Sequence, residues 1–310
     1  MYHTDSIAIL MATYNGEKYI REQLESILHQ SNQEWELFIH DDGSADRTVE
    51  IISKYAEANP QRIHVVEGEA SGGAKKNFFY LMKNVSAPYV MFSDQDDVWL
   101  KEKIEKTYEA IRRTEKRTGK DKPVLAFTDL KVVDQELNTV AERMSKSQQL
   151  NPRRTTFKES LIQNIVTGCT IMINRACAEK SLAVFDMDKI IMHDWWLALV
   201  ASCFGEIVCV DEPLILYRQH GDNSVGTIPI TEFNYIKRKM TKGDVIRHTL
   251  ELTRIQAREF SKTYGLKENS LCSEYSRLGN KNKIERMLFY IKKHMWKSGL
   301  VRNLGLIIWG

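Results

Sequence analysis

The sequence contains no pair of cysteines in C-x-x-C spacing. Its five cysteines, Cys169, Cys177, Cys203, Cys209 and Cys272, are odd in number and mostly set among apolar neighbours. That excludes a disulfide framework and a paired-cysteine zinc site, and it fits a reduced, intracellular protein. No basic leader precedes the short apolar run Ile7–Ala12, so no signal peptide is expected. No run reaches the roughly 18 apolar residues of a spanning helix. Internal repeats and low-complexity segments are missing too. Net charge is slight, +3 over 310 residues.

What is there is ordinary globular material, 43% hydrophobic and 27% charged, enough for a sizeable core in one large domain or two smaller ones. The charge is uneven. Residues 231–310 carry 17 Lys/Arg against 7 Asp/Glu, and the preceding 230 carry 27 against 34. An acidic body with a basic tail suggests an anionic partner for the tail.

The first hundred residues alternate apolar runs with helical patterns. Ile7–Ala12 reads as a strand buried on both faces. Residues 17–30 follow as a helix with Ile20, Leu24, Ile27 and Leu28 on one stripe. Strands are expected at 36–40, 63–66 and 89–93. Between them lie a helix capped by Ser44, with Val49, Ile52 and Tyr55 inward, and a helix over 77–85. Leu100, Ile104, Tyr108 and Ile111 mark a further amphipathic helix. This order predicts an α/β fold, a mostly parallel sheet with helices on both faces, whose ligands sit beyond the carboxyl ends of the strands. Later strands are expected at 124–128, 170–173, 207–210 and 214–217, and an irregular polar crossing at 129–157. A helical, basic extension follows.

Polar clusters sit just after the expected strands: Thr13-Tyr14-Asn15-Gly16, Asp41-Asp42-Gly43-Ser44 and Asp94-Gln95-Asp96-Asp97. Carboxylates gathered at a strand end repel one another, and a hard divalent ion with oxygen ligands relieves this while binding a diphosphate. Asp96 is the ligand candidate, and Asp94 suits the ion's water shell or a ribose hydroxyl. Asp42 can accept from a base or a ribose, and Tyr14 offers a face for stacking. Gly72-Gly73-Ala74-Lys75-Lys76 opens a helix and suits phosphate. Asp194, in His193-Asp194-Trp195-Trp196, is flanked by aromatics that would raise its pKa toward a general base's range. Trp195 and Trp196 suit sugar stacking, although one of them fits the core as well. After the run at 214–217, Arg218 suits phosphate and His220 a second metal position.

These four clusters, in this order, resemble family-2 inverting glycosyltransferases of the GT-A fold over roughly residues 5–225. The resemblance implies a GT-A, Rossmann-like catalytic domain over 1–228. Its nucleotide-sugar-binding part spans about 1–120 and its acceptor-binding part about 121–228. A basic helical region at 229–310 would serve membrane association or homodimer formation. It also implies nucleotide-sugar contacts from Thr13, Tyr14, Asn15, Glu17, Asp42, Lys76, Asp94 and Gln95, and Mn²⁺ or Mg²⁺ on Asp96 and His220. Asp194 would be the catalytic base, and Thr167, Gly168, Trp195 and Trp196 would meet the acceptor. Phe92-Ser93-Asp94-Gln95-Asp96-Asp97-Val98-Trp99 looks more particularly like bacterial rhamnosyltransferases of surface-polysaccharide synthesis. The implied donor is dTDP-rhamnose or a UDP-sugar, the acceptor a lipid-linked glycan, and the setting the cytoplasmic side of the membrane, peripherally bound. The Q-x-x-R-W element of processive members is lacking, which implies transfer of a single sugar.

Two other classes compete. A nucleotidyltransferase would need a Gly-rich basic phosphate loop where this chain has Tyr14-Asn15-Gly16-Glu17. A non-catalytic nucleotide-sugar-binding scaffold would have no need to keep Asp94, Asp96 and Asp194 together. Nucleic acid is not an expected partner, since no recognised nucleic-acid module occurs.

Overall fold

The structure is a computed structural model that describes residues 6–220 and 242–310. It opens with β1 (Ile7–Thr13), α1 (Ile20–Leu28), β2 (Trp35–Asp41), α2 (Thr48–Ala58), β3 (Ile63–Val65), α3 (Ala74–Asn84), β4 (Tyr89–Ser93), β5 (Val98–Trp99) and α4 (Lys103–Thr118). The second half adds β6 (Val124–Val133), β7 (Thr139–Ala141), α5 (Met144–Ser147), α6 (Phe157–Ile162), β8 (Ile171–Asn174), α7 (Arg175–Ser181), α8 (His193–Phe204) and β9 (Glu206–Arg218). Four helices end the chain: α9 (Lys242–Thr263), α10 (Leu271–Ser276), α11 (Lys283–Lys293) and α12 (Leu300–Trp309).

The described strands form one sheet in the order β3-β2-β1-β4-β8-β6-β9-β5, with β7 beside β6. β3, β2, β1 and β4 run parallel, as do β6 and β9, while β8 runs antiparallel between β4 and β6. Both faces of β1 are apolar because both are covered. Ile7, Ile9 and Met11 pack with Leu24, Ile27, Ile52 and Ile104 from α1, α2 and α4. Ala8 and Leu10 belong to the opposite layer, with Phe78 of α3, Trp196 of α8 and Phe260 of α9. A continuous apolar run of period-two positions with two covered faces is what a parallel central strand requires.

The antiparallel β8 decides the placement of the second half. Since it runs against β4, its start lies at the edge where β4 ends. The 3₁₀ turn Gly168–Thr170 is thereby brought beside the polar loop after β4.

Several expectations need correction. Ser44 does not cap α2. Its hydroxyl donates to Asp41 Oδ2 at 2.6 Å and accepts from the Asn15 N–H, and α2 begins only at Thr48. Val49 is exposed, and Ile51 takes the inward position beside Ile52. The stretches 207–210 and 214–217 are one strand, β9, whose register shifts opposite Asp129. The crossing at 129–157 begins as strand, since β6 extends to Val133. The expected boundary at 228/229 lies outside the described residues. The C-terminal helices do pack on the body, with Trp196 and Phe260 rings 5.3 Å apart.

Asn174 joins three elements where β8 turns into α7. Its Oδ1 accepts from the N–H groups of Val124 and Cys177, capping α7, and its Nδ2 donates to Glu115 Oε1 and the Lys122 carbonyl. Asn174→Ala strands these buried partners and is expected to lower unfolding free energy by about 2–4 kcal/mol in urea titrations. A loss below about 0.5 kcal/mol would show that the joint is not needed.

Candidate active site

The strand ends hold one another through side chains. Thr13 is buried, and its hydroxyl donates to Asp41 Oδ2 at 2.8 Å. Asp41 Oδ1 also receives the N–H groups of Gly43 and Ser44. Asn15, in the left-handed region at φ 48°, accepts the Ala45 N–H on its Oδ1. Glu17 accepts the Arg47 N–H at the start of α2. Gln95 clips the first cluster to the third: its Oε1 accepts from Tyr14 N–H at 2.9 Å and its Nε2 donates to the Tyr14 carbonyl at 2.8 Å. A Cβ at Gly16 would stand 2.3 Å from Gln95 Oε1, so only glycine admits this clip. The side chains of Thr13, Asn15, Glu17 and Gln95, expected to touch the donor, are engaged in holding these loops to one another. The Tyr14 ring, 58% exposed, stays available for stacking.

Asp42 is engaged by backbone. Its Oδ1 accepts from Ser71 and from Gly72 at 3.0 Å, and its Oδ2 accepts from Gly73 at 2.6 Å. Lys76 pairs with Asp188 at 3.2 Å, and Lys75 Nζ donates to the carbonyls of Met187 and Ile190, both at 2.8 Å. The two lysines join α3 to the turn before α8.

The acids beyond β4 are the electrostatic centre. Burial, with the charges of Asp96 and Asp194 nearby, pushes Asp94 up to about 7. Asp97 is fully buried and driven well above the usual carboxylate range, first by burial and then by Asp96 and Asp94. Asp96 Oδ2 lies 2.7 Å from His220 Nε2, and the His220 ring is held against Tyr19 at 4.9 Å between centroids. Cis ligands of an octahedral ion with bonds of about 2.1 Å sit about 3 Å apart. The 2.7 Å contact is a hydrogen bond between Asp96 and His220, and an ion held by both would take the place of the proton they now share, with the atoms a few tenths of an ångström further apart. A second cluster, Asp94, Asp97 and Cys169, brings its ligand atoms within 4.8 Å. It fits a hard cation poorly. Burial holds the Cys169 thiol well above its ordinary value, and Asp97 Oδ1 already accepts the Arg218 N–H.

Arg218 overturns the expectation of a free phosphate-binding guanidinium. It is 2% exposed, donates from Nε to the Asp96 carbonyl at 3.0 Å, and reaches the Gln135 carbonyl and Glu22 carboxylate as well. It braces the acidic loop. Lys103, also fully buried, stands over the Trp99 ring at 4.1 Å, and burial lowers it to about 7.

Asp194 lies in the first turn of α8. Burial pushes its carboxyl up to about 7, against smaller opposing hydrogen bonds from the Trp195 N–H, the Asn164 side chain and the Gly168 backbone. Asp194 lies close enough to Asp94 for its charge to help raise the Asp94 carboxyl. Gly168 is required by close approach, since a Cβ there would meet His193 Nε2 at 2.8 Å and Asp194 Cβ at 3.8 Å. His193 itself is buried against Phe78 and Phe92, and burial lowers it to about 3, so it stays neutral. Trp195 is partly open, its indole N–H donating to the Ser160 carbonyl. Trp196 is corrected: it is 0% exposed, bonds the Ser181 carbonyl, and belongs to the core rather than to an acceptor surface. Sequence reasoning also missed Asn164, Lys103 and the bracing role of Arg218. Asn164 and Arg218 act through contacts across tens of residues, and the full burial of Lys103, although it lies four residues from Trp99, is marked by no local pattern.

The raised carboxyl has a consequence for stability. An unfolded aspartate ionises near 3.8, whereas folded Asp194 keeps its proton to about 7. Stability from this group is present below about pH 4 and declines as pH rises through 7. Asp194→Asn is therefore expected to raise the melting temperature of cation-free protein at pH 8 by about 3 °C more than at pH 5. An equal change at both pH values would refute the buried-carboxyl assignment.

Residues 8–182 match the model of glycosyl transferase family 2. The chain is 32% identical over 228 residues to dTDP-rhamnosyl transferase RfbG of Shigella flexneri, covering 70% of this chain and 73% of that one. It is 31% identical over 170 residues to TuaG of Bacillus subtilis (strain 168), named for glycosyl transfer in teichuronic acid biosynthesis, covering 54% and 62%. In fold it is similar to S. aureus TarS 1-349, with TM-score 0.52, 19% identity, and coverage of 93% of this chain and 78% of that one. Against a longer TarS chain the TM-score is 0.53 at 18% identity, with 92% of this chain and 43% of that one covered, so this chain spans less than half its length. The GT-A expectation is met by this likeness. With the family's match running through all three polar clusters of the first half and on past Gly168, the chain belongs to glycosyl transferase family 2.

Proposed function

We propose that this protein transfers a single sugar, L-rhamnose from dTDP-rhamnose, to a hydroxyl of a lipid-linked glycan acceptor in bacterial surface-polysaccharide synthesis, with inversion at the anomeric carbon. The observation that carries transfer is the part-buried Asp194 carboxyl with its raised pKa, within electrostatic reach of Asp94, whose neighbour Asp96 pairs with His220. The rhamnosyl donor is supported by the 32% identity to RfbG.

The chain's own groups divide the work. Tyr14 provides the stacking face for the base, and Asp42 orders the 71–73 backbone beside it. Asp96 and His220, with Asp94, would hold Mn²⁺ or Mg²⁺. When bound, such an ion offsets the charge of the departing diphosphate. Asp194 takes the proton from the acceptor hydroxyl as the new C–O bond forms and the bond to the diphosphate breaks. Its pKa near 7 suits that task, because a base is most effective when its pKa lies near the working pH. One base acting opposite the leaving group requires no covalent intermediate. The partly open face of Trp195, with Thr167 and Gly168, lines the acceptor side.

The test is a panel of nucleotide sugars, dTDP-rhamnose first and UDP-hexoses next, with Mn²⁺ or Mg²⁺ and lipid-linked or synthetic glycoside acceptors. Acceptor-dependent release of nucleoside diphosphate is the expected result. Pyrophosphate release would replace the reading with nucleotidyl transfer, and binding without turnover would leave a scaffold. Asp194→Asn is expected to lower turnover by about 10²-fold or more while donor affinity persists. Unchanged turnover would remove Asp194 from the reaction. Excess chelator is expected to abolish turnover and added Mn²⁺ or Mg²⁺ to restore it. Full turnover in chelator would exclude the cation.

A further inference from the structure

The two C-terminal helices present apolar stripes to solvent. On α11, Ile284, Leu288 and Ile291 are exposed, Ile284 to 72%. Their spacing of four and three puts them on one face. On α12, Leu300, Val301, Leu304, Ile307 and Ile308 form a second exposed stripe, Leu300 to 82%. Neither helix is short of a core side. Tyr290 is buried and its hydroxyl accepts from Arg254 of α9, while Gly305 lies tight against Ile246 of the same helix. Arg286 of α11 donates to the carbonyl of Gly310, just after α12, and so ties the two elements. Each helix thus buries one side on the body and turns another apolar side outward. A large exposed apolar patch on a chain of ordinary composition marks an interaction surface.

The occupant follows from charge. Residues 281–310 contain seven Lys/Arg and a single acid, Glu285. Lys283 and Lys292 are exposed beside the α11 stripe, and Trp296 and Trp309 are partly exposed on the same segment. A second copy of this surface would set cation against cation, whereas anionic lipid complements it and accepts the aliphatic side chains. Indole rings at the margin suit the headgroup level. No described helix is long and apolar enough to cross a membrane, so the segment would lie along the surface.

We propose that α11 and α12 form a plate that seats this protein on an anionic bilayer, with the aliphatic stripes among the acyl chains and Lys283 and Lys292 at the lipid phosphates. The plate is separate from the sugar-transfer site. Vesicle binding without donor reads the plate, and turnover on a synthetic soluble acceptor reads the site.

The experiment is co-sedimentation of the full chain with vesicles of phosphatidylethanolamine and phosphatidylglycerol in equal parts, and with phosphatidylcholine alone. Binding to the first set, weaker on the second and falling with salt, is the expected result. The double variant Leu304→Glu/Ile308→Glu is expected to lower partition onto the mixed vesicles by about tenfold or more. Lys283→Glu/Lys292→Glu is expected to lower it about tenfold by charge alone. These positions face solvent, and circular dichroism melts matching the parent confirm folding. No binding of the parent to mixed vesicles overturns the proposal, as does unchanged partition of both variants. A parent dimer that Leu304→Glu/Ile308→Glu converts to monomer, with no vesicle binding, also overturns it and assigns the face to a contact between copies.

Discussion

Carboxyl groups crowd together at the end of β4 and the start of α8 in surroundings that exclude much of the water, and this crowding governs the rest of the site. Asp94, Asp97 and Asp194 all pay for burial with raised pKa values. Neutral protonated acids are one way to tolerate such a gathering, and a divalent ion is the other. Arg218 braces the loop through the Asp96 and Gln135 carbonyls and the Asp97 carboxyl, which helps to hold the acids in place. Asp97 lies close enough to Lys103 to raise it, yet burial outweighs this and lowers the lysine to about 7.

The geometry of the crowd depends on one reversal in the sheet. Parallel strands would carry the second half's loops to the same edge only through long crossovers. Here β8 runs backward between β4 and β6, so that a strand start, rather than a strand end, supplies Thr167 and Gly168. The start of α8 then closes the cleft from that side, with the Gly168 backbone contacting Asp194. The strands of the first half and those of the second are therefore parts of a single sheet, between the same two apolar clusters.

Much of this was legible beforehand, for physical reasons. Strands β1 and β4 announce themselves because burial on both faces demands unbroken apolar runs, and polar clusters at their ends stand out against such runs. The order of the clusters carried the GT-A likeness. What was not legible has a common cause. Trp195 and Trp196 are adjacent and chemically equal, and only the 100° step between helix positions sends one into the core and leaves the other at the cleft. Arg218 reads as a phosphate ligand from its neighbours alone. Its bonds to Asp96, Asp97, Gln135 and Glu22 span sequence separations that no window covers. The hydrogen bonds by which Thr13, Asn15, Glu17 and Gln95 hold the loops together likewise join segments far apart in the chain.

The double hydrogen bond from Gln95 to the Tyr14 backbone welds the end of β1 to the acidic loop after β4. Anyone who wished to regraft this scaffold for another nucleotide would find the two loops inseparable. A loop transplanted after β1 without its Gln95 counterpart, or without the Gly16 that makes room for it, would keep its bonds to the segment before α2 but lose its tie to the acidic loop. The two distant segments accordingly form one structural unit, from which the ring of residue 14 projects outward.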